Sequence, residues 1–237
     1  MKPQYSFFTG LPRSGSTVFG CVLNQNPDLF VSTNSHICNT LFKLKQVVIN
    51  NPAYQSNPDP EALNESLKSV LPTFYKSKQD KKIIFDKAFA WGNVENYSML
   101  KEVLNCRPKF VVFNRNINNV IDSIIKLIDN NPGCIFQGNL DPSSSYEVKR
   151  QYQIDMWLKH SINSNHNLKE NYKEDCYVIE YNELINNPNN VVNGFYDFFE
   201  LPRFKHNLYK IENLNQENDM VYGVPGMHNV RPLLYKN

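Results

Sequence analysis

Residues 5–23 read Tyr5-Ser-Phe-Phe-Thr-Gly10-Leu-Pro-Arg-Ser-Gly15-Ser-Thr-Val-Phe-Gly20-Cys-Val-Leu23. The apolar start predicts a buried β-strand, the glycines predict a tight loop, and the segment from residue 16 onwards predicts the first turns of a helix. A loop of this kind directs backbone N–H groups and the positive end of the helix dipole at an anion. The stretch therefore predicts an α/β fold whose first loop binds phosphate.

The loop lacks the lysine of the triphosphate-binding motif G-x-x-x-x-G-K-[ST], in which that lysine reaches the β- and γ-phosphates. Gly10 and Gly15 keep the spacing of the motif, but Ser16 follows Gly15 directly and the cation lies earlier, at Arg13. Such a loop suits a 5′-phosphosulfate better than a nucleoside triphosphate with its magnesium. A P-loop kinase, which needs the lysine and a strand-end aspartate, is one alternative.

A second unit of strand, arginine and helix follows downstream. Residues 109–113 are a short apolar run that predicts an interior parallel strand. Arg115 stands just beyond its carboxyl end, and Ser123 lies about two turns into the predicted helix 118–129. Arginine offers a phosphate two parallel N–H donors, and a serine hydroxyl adds a neutral hydrogen bond. The alternative is an ion pair of Arg115 with a neighbouring carboxylate beside an ordinary helix serine.

Residues 11–17, Leu-Pro-Arg-Ser-Gly-Ser-Thr, resemble the 5′-phosphosulfate loop of sulfotransferases that use 3′-phosphoadenosine 5′-phosphosulfate (PAPS). In that family a strand, arginine, helix and serine hold the 3′-phosphate, and Arg115 and Ser123 match them with the same eight-residue separation. The resemblance implies sulfuryl transfer from PAPS to a hydroxyl or amine acceptor, without a metal. It places Arg13 at the leaving group, and the 5′-phosphate in a cradle formed by Ser14, Gly15, Ser16 and Thr17.

Two softer motifs extend the resemblance from residue 8 to residue 231. Residues 177–188 are similar to a strand-then-helix element whose tyrosine lies near the adenine, which implies that role for Tyr181. The alternative is a strand-end aromatic that caps the core. Residues 221–232 resemble the tail of a group of bacterial and viral sulfotransferase-like proteins, which implies that Arg231 contacts the 3′-phosphate; the alternative is a solvated arginine.

A hydroxyl acceptor requires a general base, and the Lys-Thr-x-His element of animal cytosolic sulfotransferases is absent. Asp86, at the end of the predicted strand 82–86, is one candidate, although a strand-end carboxylate also serves as a helix cap or ion-pair partner. The others are His36, after the second predicted strand, and His228, in the tail. Lys87 is expected to help hold the sulfuryl oxygens. Trp91 either lines an acceptor pocket or belongs to the core.

The composition, with 41% hydrophobic and 20% charged residues among 237, is that of a globular protein. A formal net charge of +2 argues against a general nucleic-acid binder. No stretch approaches about 18 consecutive apolar residues and no signal peptide is evident, so no membrane segment is expected. Five widely spaced cysteines predict free thiols in a reducing cytoplasm, and neither they nor the five histidines have metal-ligand spacing.

Five predicted strands alternate with helices: 5–9, 29–32, 82–86, 109–113 and 176–181. This order predicts a three-layer, P-loop-like α/β fold, with a central parallel sheet flanked by helices, in a single domain over residues 1–237. A long helical region is predicted over 145–171. The Pro- and Ser-rich stretch 130–145 before it is either a lid over the acceptor or a plain connector.

The acceptor is left open, since a sugar, a lipid head group, a peptide tyrosine or a small alcohol would each suit a pocket built from loops. The oligomeric state is open as well. A non-catalytic PAPS-binding protein of the same fold is the second alternative to a sulfotransferase.

Overall fold

The computed structural model describes residues 2–213 and 217–234. Five parallel strands form a sheet in the order β2-β3-β1-β4-β5. The strands are β1 (Gln4–Gly10), β2 (Leu29–Asn34), β3 (Ile83–Lys87), β4 (Phe110–Asn114) and β5 (Cys176–Glu180). The predicted α/β class, with a central parallel sheet flanked by helices, is confirmed.

Ten α-helices connect and cover the strands in the described residues. They are α1 (Ser16–Leu23), α2 (Ile37–Ile49), α3 (Pro52–Ser56), α4 (Pro60–Phe74), α5 (Val94–Leu104), α6 (Ile117–Asn130), α7 (Tyr146–Gln153), α8 (Lys159–Asn171), α9 (Tyr181–Asn186) and α10 (Pro188–Phe198). Short 3₁₀ turns lie at Lys76–Lys78, Lys173–Asp175 and Asp219–Tyr222. The predicted apolar stripe of α6 is buried as a set: Val120, Ile121, Ile124, Ile125 and Ile128.

The core lies on both faces of the sheet, because successive residues of a strand point to opposite sides. In β1, Phe7 packs against Trp91 at a ring-centroid distance of 4.7 Å, while Phe8 packs on the other face against Phe85 at 5.3 Å. Burying a phenylalanine contributes about 1.5–3 kcal/mol. Central strands that are apolar on both faces explain why the runs in the sequence are nearly continuous rather than alternating.

The long helical region predicted over 145–171 is present, and a π-helical turn at Ile154–Leu158 separates α7 from α8 within it. A π-turn closes i→i+5 hydrogen bonds, so residues five apart come onto the same side. Gln153 and Leu158 are five apart and both fully buried. The turn therefore re-phases the helix so that both side chains face inward.

The strand predicted over 82–86 extends one residue further than expected. Lys87 still pairs with Phe8 of β1 and with Asn34 of β2, so it is the last residue of β3. Asp86 and Lys87 consequently point to opposite faces of the sheet.

Of the stretch 130–145, predicted as a lid or a connector, Asn130 ends α6 and the rest packs against the C-terminal tail. Cys134 and Leu140 are buried, and the N–H of Ile135 donates to the Tyr222 oxygen (3.0 Å). This stretch is thus docked on the rest of the molecule in the structure.

A half-buried histidine, His206, connects the segment after α10 to that helix and makes stability depend on pH. The Tyr196 hydroxyl accepts from Asn26 Nδ2 (2.9 Å) and lies 2.8 Å from His206 Nε2, so it donates to the neutral ring. Burial lowers the pKa of His206 from its ordinary 6.5 to about 4. Between these pH values the unfolded chain binds a proton at this histidine and the folded one does not, so acidification favours unfolding.

We therefore expect the free energy of unfolding to fall less steeply between pH 7 and pH 5 in His206→Gln than in the wild-type protein. The measurement is urea unfolding at several pH values, with His166→Gln, which replaces an exposed histidine, as the control. Equal pH dependence in His206→Gln and the wild-type protein would contradict the role given to His206.

Candidate active site

The loop after β1 depends on two glycines. Gly10 has a φ of 130°, and a Cβ there would clash with the main-chain oxygen of Phe113 on β4. Gly15 has a φ of 89°, and its Cβ would lie 2.7 Å from Leu184 Cδ2 on α9. Both conformations are ones that only glycine adopts readily. The loop is therefore pressed between β4 and α9.

The N-terminus of α1 is open to an anion. In the described residues, no side chain caps the helix at Gly15, so the first N–H groups of α1 keep their donor capacity. These groups belong to the segment around Ser16 and Thr17, both of them only partly buried. Uncapped N–H groups and the helix dipole together favour a phosphate at this position.

Ser14 plays a different part in the loop. Its hydroxyl is buried and donates to the Leu11 oxygen within the loop. Its side chain therefore stabilises the turn, and only its backbone remains available to a ligand.

Arg13 and Ser123, placed at two separate phosphate sites by the sequence, are in direct contact. Arg13 Nε donates to Ser123 Oγ (3.2 Å), and Arg13 Nη1 donates to the Met227 oxygen (3.2 Å). The backbone of Arg13 is left-handed, with a φ of 59°. The guanidinium thus extends from the first loop to α6, toward the second site rather than only toward the leaving group.

Arg115 is held against the same loop. Its Nη1 donates to the Arg13 oxygen (2.5 Å), and its guanidinium carbon lies 4.1 Å from the centre of the Tyr181 ring. Buried Arg115 Nε finds no hydrogen-bond partner among the described residues. A buried donor without an acceptor costs about 1–3 kcal/mol. An oxygen of a bound phosphate would supply the missing acceptor.

The two guanidiniums repel each other. Burial lowers the pKa of Arg13, and the nearby charge of Arg115 lowers it further. An anion near both groups would relieve this repulsion. Tyr181 is the first residue of α9, and its ring stacks on Arg115. Its side chain therefore forms part of the site around Arg115.

Lys87 is the last residue of β3, and its side chain reaches the start of α1 beside the phosphate-binding loop. It is only 3% exposed, and its Nζ donates to Thr17 Oγ1 (3.0 Å). Burial lowers the pKa of Lys87, and the charge of Glu217 partly opposes this shift. A buried lysine beside the loop hydroxyl is suited to countering negative charge on a bound group.

Asp86 lies on the opposite face and is fully buried. Its carboxylate accepts from Ser35 Oγ (2.7 Å), from Trp91 Nε1 (2.7 Å) and from the Tyr75 hydroxyl. Burial raises the pKa of Asp86, and the three donors oppose this effect. This geometry does not support the prediction of Asp86 as a general base, because the carboxylate is enclosed among residues that it holds together. Trp91 likewise belongs to the core rather than to an acceptor pocket.

His36 is one of the residues lining a cavity of about 420 Å³ that runs along β2. Its ring is exposed and meets Phe74 edge to face, with centroids 5.3 Å apart. The remaining lining residues are Phe30, Ser32, Thr33, Asn34, Ser35 and Tyr75. The cavity combines aromatic walls with several hydroxyl groups and amides.

His228 lies between two carboxylates that the sequence analysis missed. Its Nδ1 is 2.5 Å from Asp219 Oδ1, and its Nε2 is 3.3 Å from Glu217 Oε2. Glu217 also accepts from the N–H of Asn34 (3.3 Å) in the cavity wall. The only signal in the sequence was the pair of acids shortly before the tail motif, and their distance along the chain from His228 gave no reason to join them.

Arg231 is exposed. Close by, the N–H of Leu233 donates to the Leu208 oxygen (3.0 Å), which ties this end of the chain to the segment after α10. In the described residues no hydrogen bond or ion pair joins Arg231 to Arg115 or Ser123, so its contact with a 3′-phosphate stays a prediction.

Within residues 2–213 and 217–234, no group of histidines, cysteines and acids is arranged to hold a metal ion. In the same part of the chain, no helix has the length and apolar character needed to cross a membrane.

Comparison with known proteins identifies the family. A family model described as the sulfotransferase family matches residues 6–206. The chain belongs to the sulfotransferase family. The match includes the first loop, Lys87, Arg115, Ser123 and Tyr181, and it ends before the tail that carries His228. No relative was found among curated protein sequences.

Solved sulfotransferases share the fold at low sequence identity. The sulfotransferase domain from the curacin biosynthetic pathway is 19% identical, with a TM-score of 0.58 over 94% of this chain and 83% of that one. The domain from the Synechococcus PCC 7002 olefin synthase is 17% identical, with a TM-score of 0.55 over 97% and 89%. Mouse sulfotransferase SULT7A1, solved in complex with PAP, is 14% identical, with a TM-score of 0.50 over 94% and 64%.

Asp86→Asn should lower the free energy of unfolding by about 1–3 kcal/mol, because an amide cannot accept from all three buried donors. Urea unfolding measures the change. Asp80→Asn, which alters an exposed carboxylate paired with Lys81, is the control and should have little effect. Unchanged stability of Asp86→Asn would contradict the structural role given to this residue.

Proposed function

We propose that the protein transfers the sulfuryl group of PAPS to a hydroxyl or amine acceptor and releases adenosine 3′,5′-bisphosphate. The observation that carries this proposal is the contact between Arg13 and Ser123 (3.2 Å), because it joins the two predicted phosphate sites. A donor with phosphate groups at both its 5′ and 3′ ends matches a site with two adjoining anion-binding parts. A nucleoside triphosphate carries its phosphates in one line and lacks the second group.

The residues present fit this donor. The uncapped start of α1 suits the 5′-phosphate. The unpartnered Nε of Arg115, with the Ser123 hydroxyl beside Arg13, suits the 3′-phosphate. Tyr181, stacked on Arg115, offers an aromatic face for a base nearby. The donor set consists of cations, hydroxyls and backbone N–H groups, so charge neutralisation does not call for a metal.

Catalysis by this chain would depend on positioning and on charge. By analogy with phosphoryl transfer, the developing negative charge falls on the leaving phosphate, and fixed donors in a water-poor site stabilise it. Lys87, buried and 3.0 Å from Thr17 Oγ1, is placed to counter that charge. Arg13, which extends from the loop to α6, serves both phosphate sites rather than the leaving group alone.

The cavity near His36 is the favoured entrance for the acceptor. Its volume of about 420 Å³ suits a small molecule or one side chain or sugar unit of a larger acceptor. Asn34 belongs both to its wall and to the contact with Glu217, so the cavity adjoins the charged groups. The aromatic walls at Phe30, Phe74 and Tyr75 favour an acceptor with an apolar body.

The kinase alternative has less support. It requires a lysine directly after Gly15, where Ser16 stands, and a strand-end aspartate for magnesium. Asp86 faces away from the loop and is fully buried. A non-catalytic PAPS-binding protein keeps every contact described above and differs only in turnover.

Calorimetry with adenosine 3′,5′-bisphosphate, AMP and Mg-ATP tests the proposal. We expect the bisphosphate to bind about 100-fold more tightly than AMP, a difference of roughly 2.7 kcal/mol. Tighter binding of Mg-ATP than of the bisphosphate would overturn the proposal in favour of a kinase.

Arg115→Met should weaken binding of the bisphosphate by about 1.5–3 kcal/mol, the strength of a hydrogen bond to a charged group, and leave AMP affinity nearly unchanged. Methionine keeps an apolar stem against Tyr181 while the charge is lost. Arg203→Met is the matched control, since Arg203 is exposed and pairs with Asp197. If the preference for the bisphosphate survived in Arg115→Met, the 3′-phosphate site would have to lie elsewhere.

Arg13→Met should weaken both AMP and the bisphosphate and should also lower kcat, because this side chain reaches both phosphate sites. Calorimetry and the rate of bisphosphate release from PAPS measure the two effects. A variant with normal AMP affinity and normal kcat would show that Arg13 serves neither site.

A further inference from the structure

The C-terminal tail carries a carboxylate–imidazole–carboxylate cluster formed by Glu217, His228 and Asp219, which lies beyond the region that the family model matches. We propose that Glu217 is the general base for the acceptor and that His228 and Asp219 are positioning residues that act through it. This inference rests on the proposed sulfuryl transfer. It revises the prediction that Asp86, His36 or His228 is the base.

His228 has no ring nitrogen left for an acceptor. Nδ1 faces Asp219 at 2.5 Å and Nε2 faces Glu217 at 3.3 Å, and the ring is largely buried, with a side-chain exposure of 10%. The main-chain N–H of His228 also donates to Asp219 Oδ2 (3.0 Å). Asp219 therefore uses both oxygens to fix the histidine, as an orienting carboxylate does.

Glu217 is held more loosely and lies closer to the chemistry. Among residues 2–213 and 217–234 it contacts His228 Nε2 and the N–H of Asn34, both at 3.3 Å. Each carboxylate oxygen has a second lone pair, so Glu217 keeps capacity to accept a proton. Asn34, whose N–H donates to Glu217, is one of the residues that line the 420 Å³ cavity, so Glu217 contacts the cavity wall.

The buried cation Lys87, beside the phosphate loop, also senses Glu217. The charge of Glu217 opposes the burial-driven fall in the pKa of Lys87, and Lys87 in turn contacts Thr17 at the loop. Asn34 pairs with Lys87 between β2 and β3, so Glu217, which accepts from the Asn34 N–H, is joined through that residue both to the cavity wall and to the strand end that carries the cation. A general base needs both neighbours, since the proton leaves the acceptor as the new bond to sulfur forms.

The other candidates lack one of these neighbours. Asp86 is enclosed on the opposite face of the sheet, with three donors around it. His36 lies at the exposed end of the cavity, beside Phe74. Of the described candidates for a base, Glu217 is the one that combines a contact with the cavity wall, at Asn34, with a link through Lys87 to the phosphate loop.

The step balances as follows. An oxygen lone pair of the acceptor hydroxyl forms the new S–O bond, and the bond between sulfur and the bridging oxygen of the 5′-phosphosulfate breaks. The bridging oxygen keeps the electron pair, and Lys87 and Arg13 counter its charge. The hydroxyl proton passes to the Glu217 carboxylate, which His228 holds in place, and leaves to solvent when the products separate.

The test compares Glu217→Gln with wild-type protein in two assays. One is calorimetric binding of adenosine 3′,5′-bisphosphate. The other is release of the bisphosphate from PAPS, measured with water alone and with a panel of phenols, primary alcohols and amines. We expect the bisphosphate affinity to change little and kcat to fall by about 10²- to 10⁴-fold, the usual contribution of a general base. Glu212→Gln is the matched control, since Glu212 is an exposed glutamate before the tail that pairs with Lys210.

Formate rescue separates a chemical role from a structural one. Glu217→Ala leaves space for a small carboxylate, and added formate should restore part of its kcat, whereas an isosteric amide in Glu217→Gln should not respond. His228→Gln should lower kcat without changing the KM for PAPS, because it displaces Glu217 and leaves the nucleotide site intact.

The outcomes separate the two proposals. Wild-type protein that does not bind the bisphosphate, or binds it but never releases it from PAPS, overturns the proposed function. Wild-type turnover that persists in Glu217→Gln, or a Glu217→Ala variant that formate does not rescue, overturns the role of Glu217 and leaves the sulfotransferase function standing.

Discussion

The hydrogen bond from Arg115 to the main-chain oxygen of Arg13 (2.5 Å) is the contact on which the site depends. It joins the loop after β1 to the end of β4 and brings two guanidiniums close together. Like charges repel, so the surrounding fold has to hold this arrangement. Gly10 does so by lying against the main chain of β4, and Gly15 by lying against Leu184 of α9. An anion bound near both guanidiniums would offset the repulsion between them.

The elements that position the site could be predicted because their signals are local. The apolar run before Gly10 and the run over 109–113 are central strands, and central parallel strands bury both faces. Helix α6, which carries Ser123, has an apolar stripe that is periodic enough to be recognised from the sequence alone. These patterns fix where Arg115 and the loop stand, because the carboxyl ends of parallel strands lie at one edge of a sheet.

The remaining features depend on contacts between residues far apart in the chain. The direction of the Arg13 side chain is set by Ser123, 110 residues away. The pairing of Glu217 with Asn34 spans 183 residues, and no local pattern announces it. The surroundings of Asp86 were hidden for the same reason, since a strand-end carboxylate looks alike in sequence whether it faces a ligand or, as here, Tyr75 and Trp91.

Two adjacent residues of β3 have different roles on opposite faces of the sheet. Asp86 organises the buried layer beneath α4, while Lys87 reaches the phosphate loop. Since side chains alternate along a strand, inserting or deleting one residue within β3 would exchange them and send the ammonium into the apolar layer and the carboxylate toward the bound anion. An ammonium buried among apolar groups and a carboxylate beside an anion are both energetically unfavourable. The register of this strand is therefore fixed by electrostatics as well as by packing.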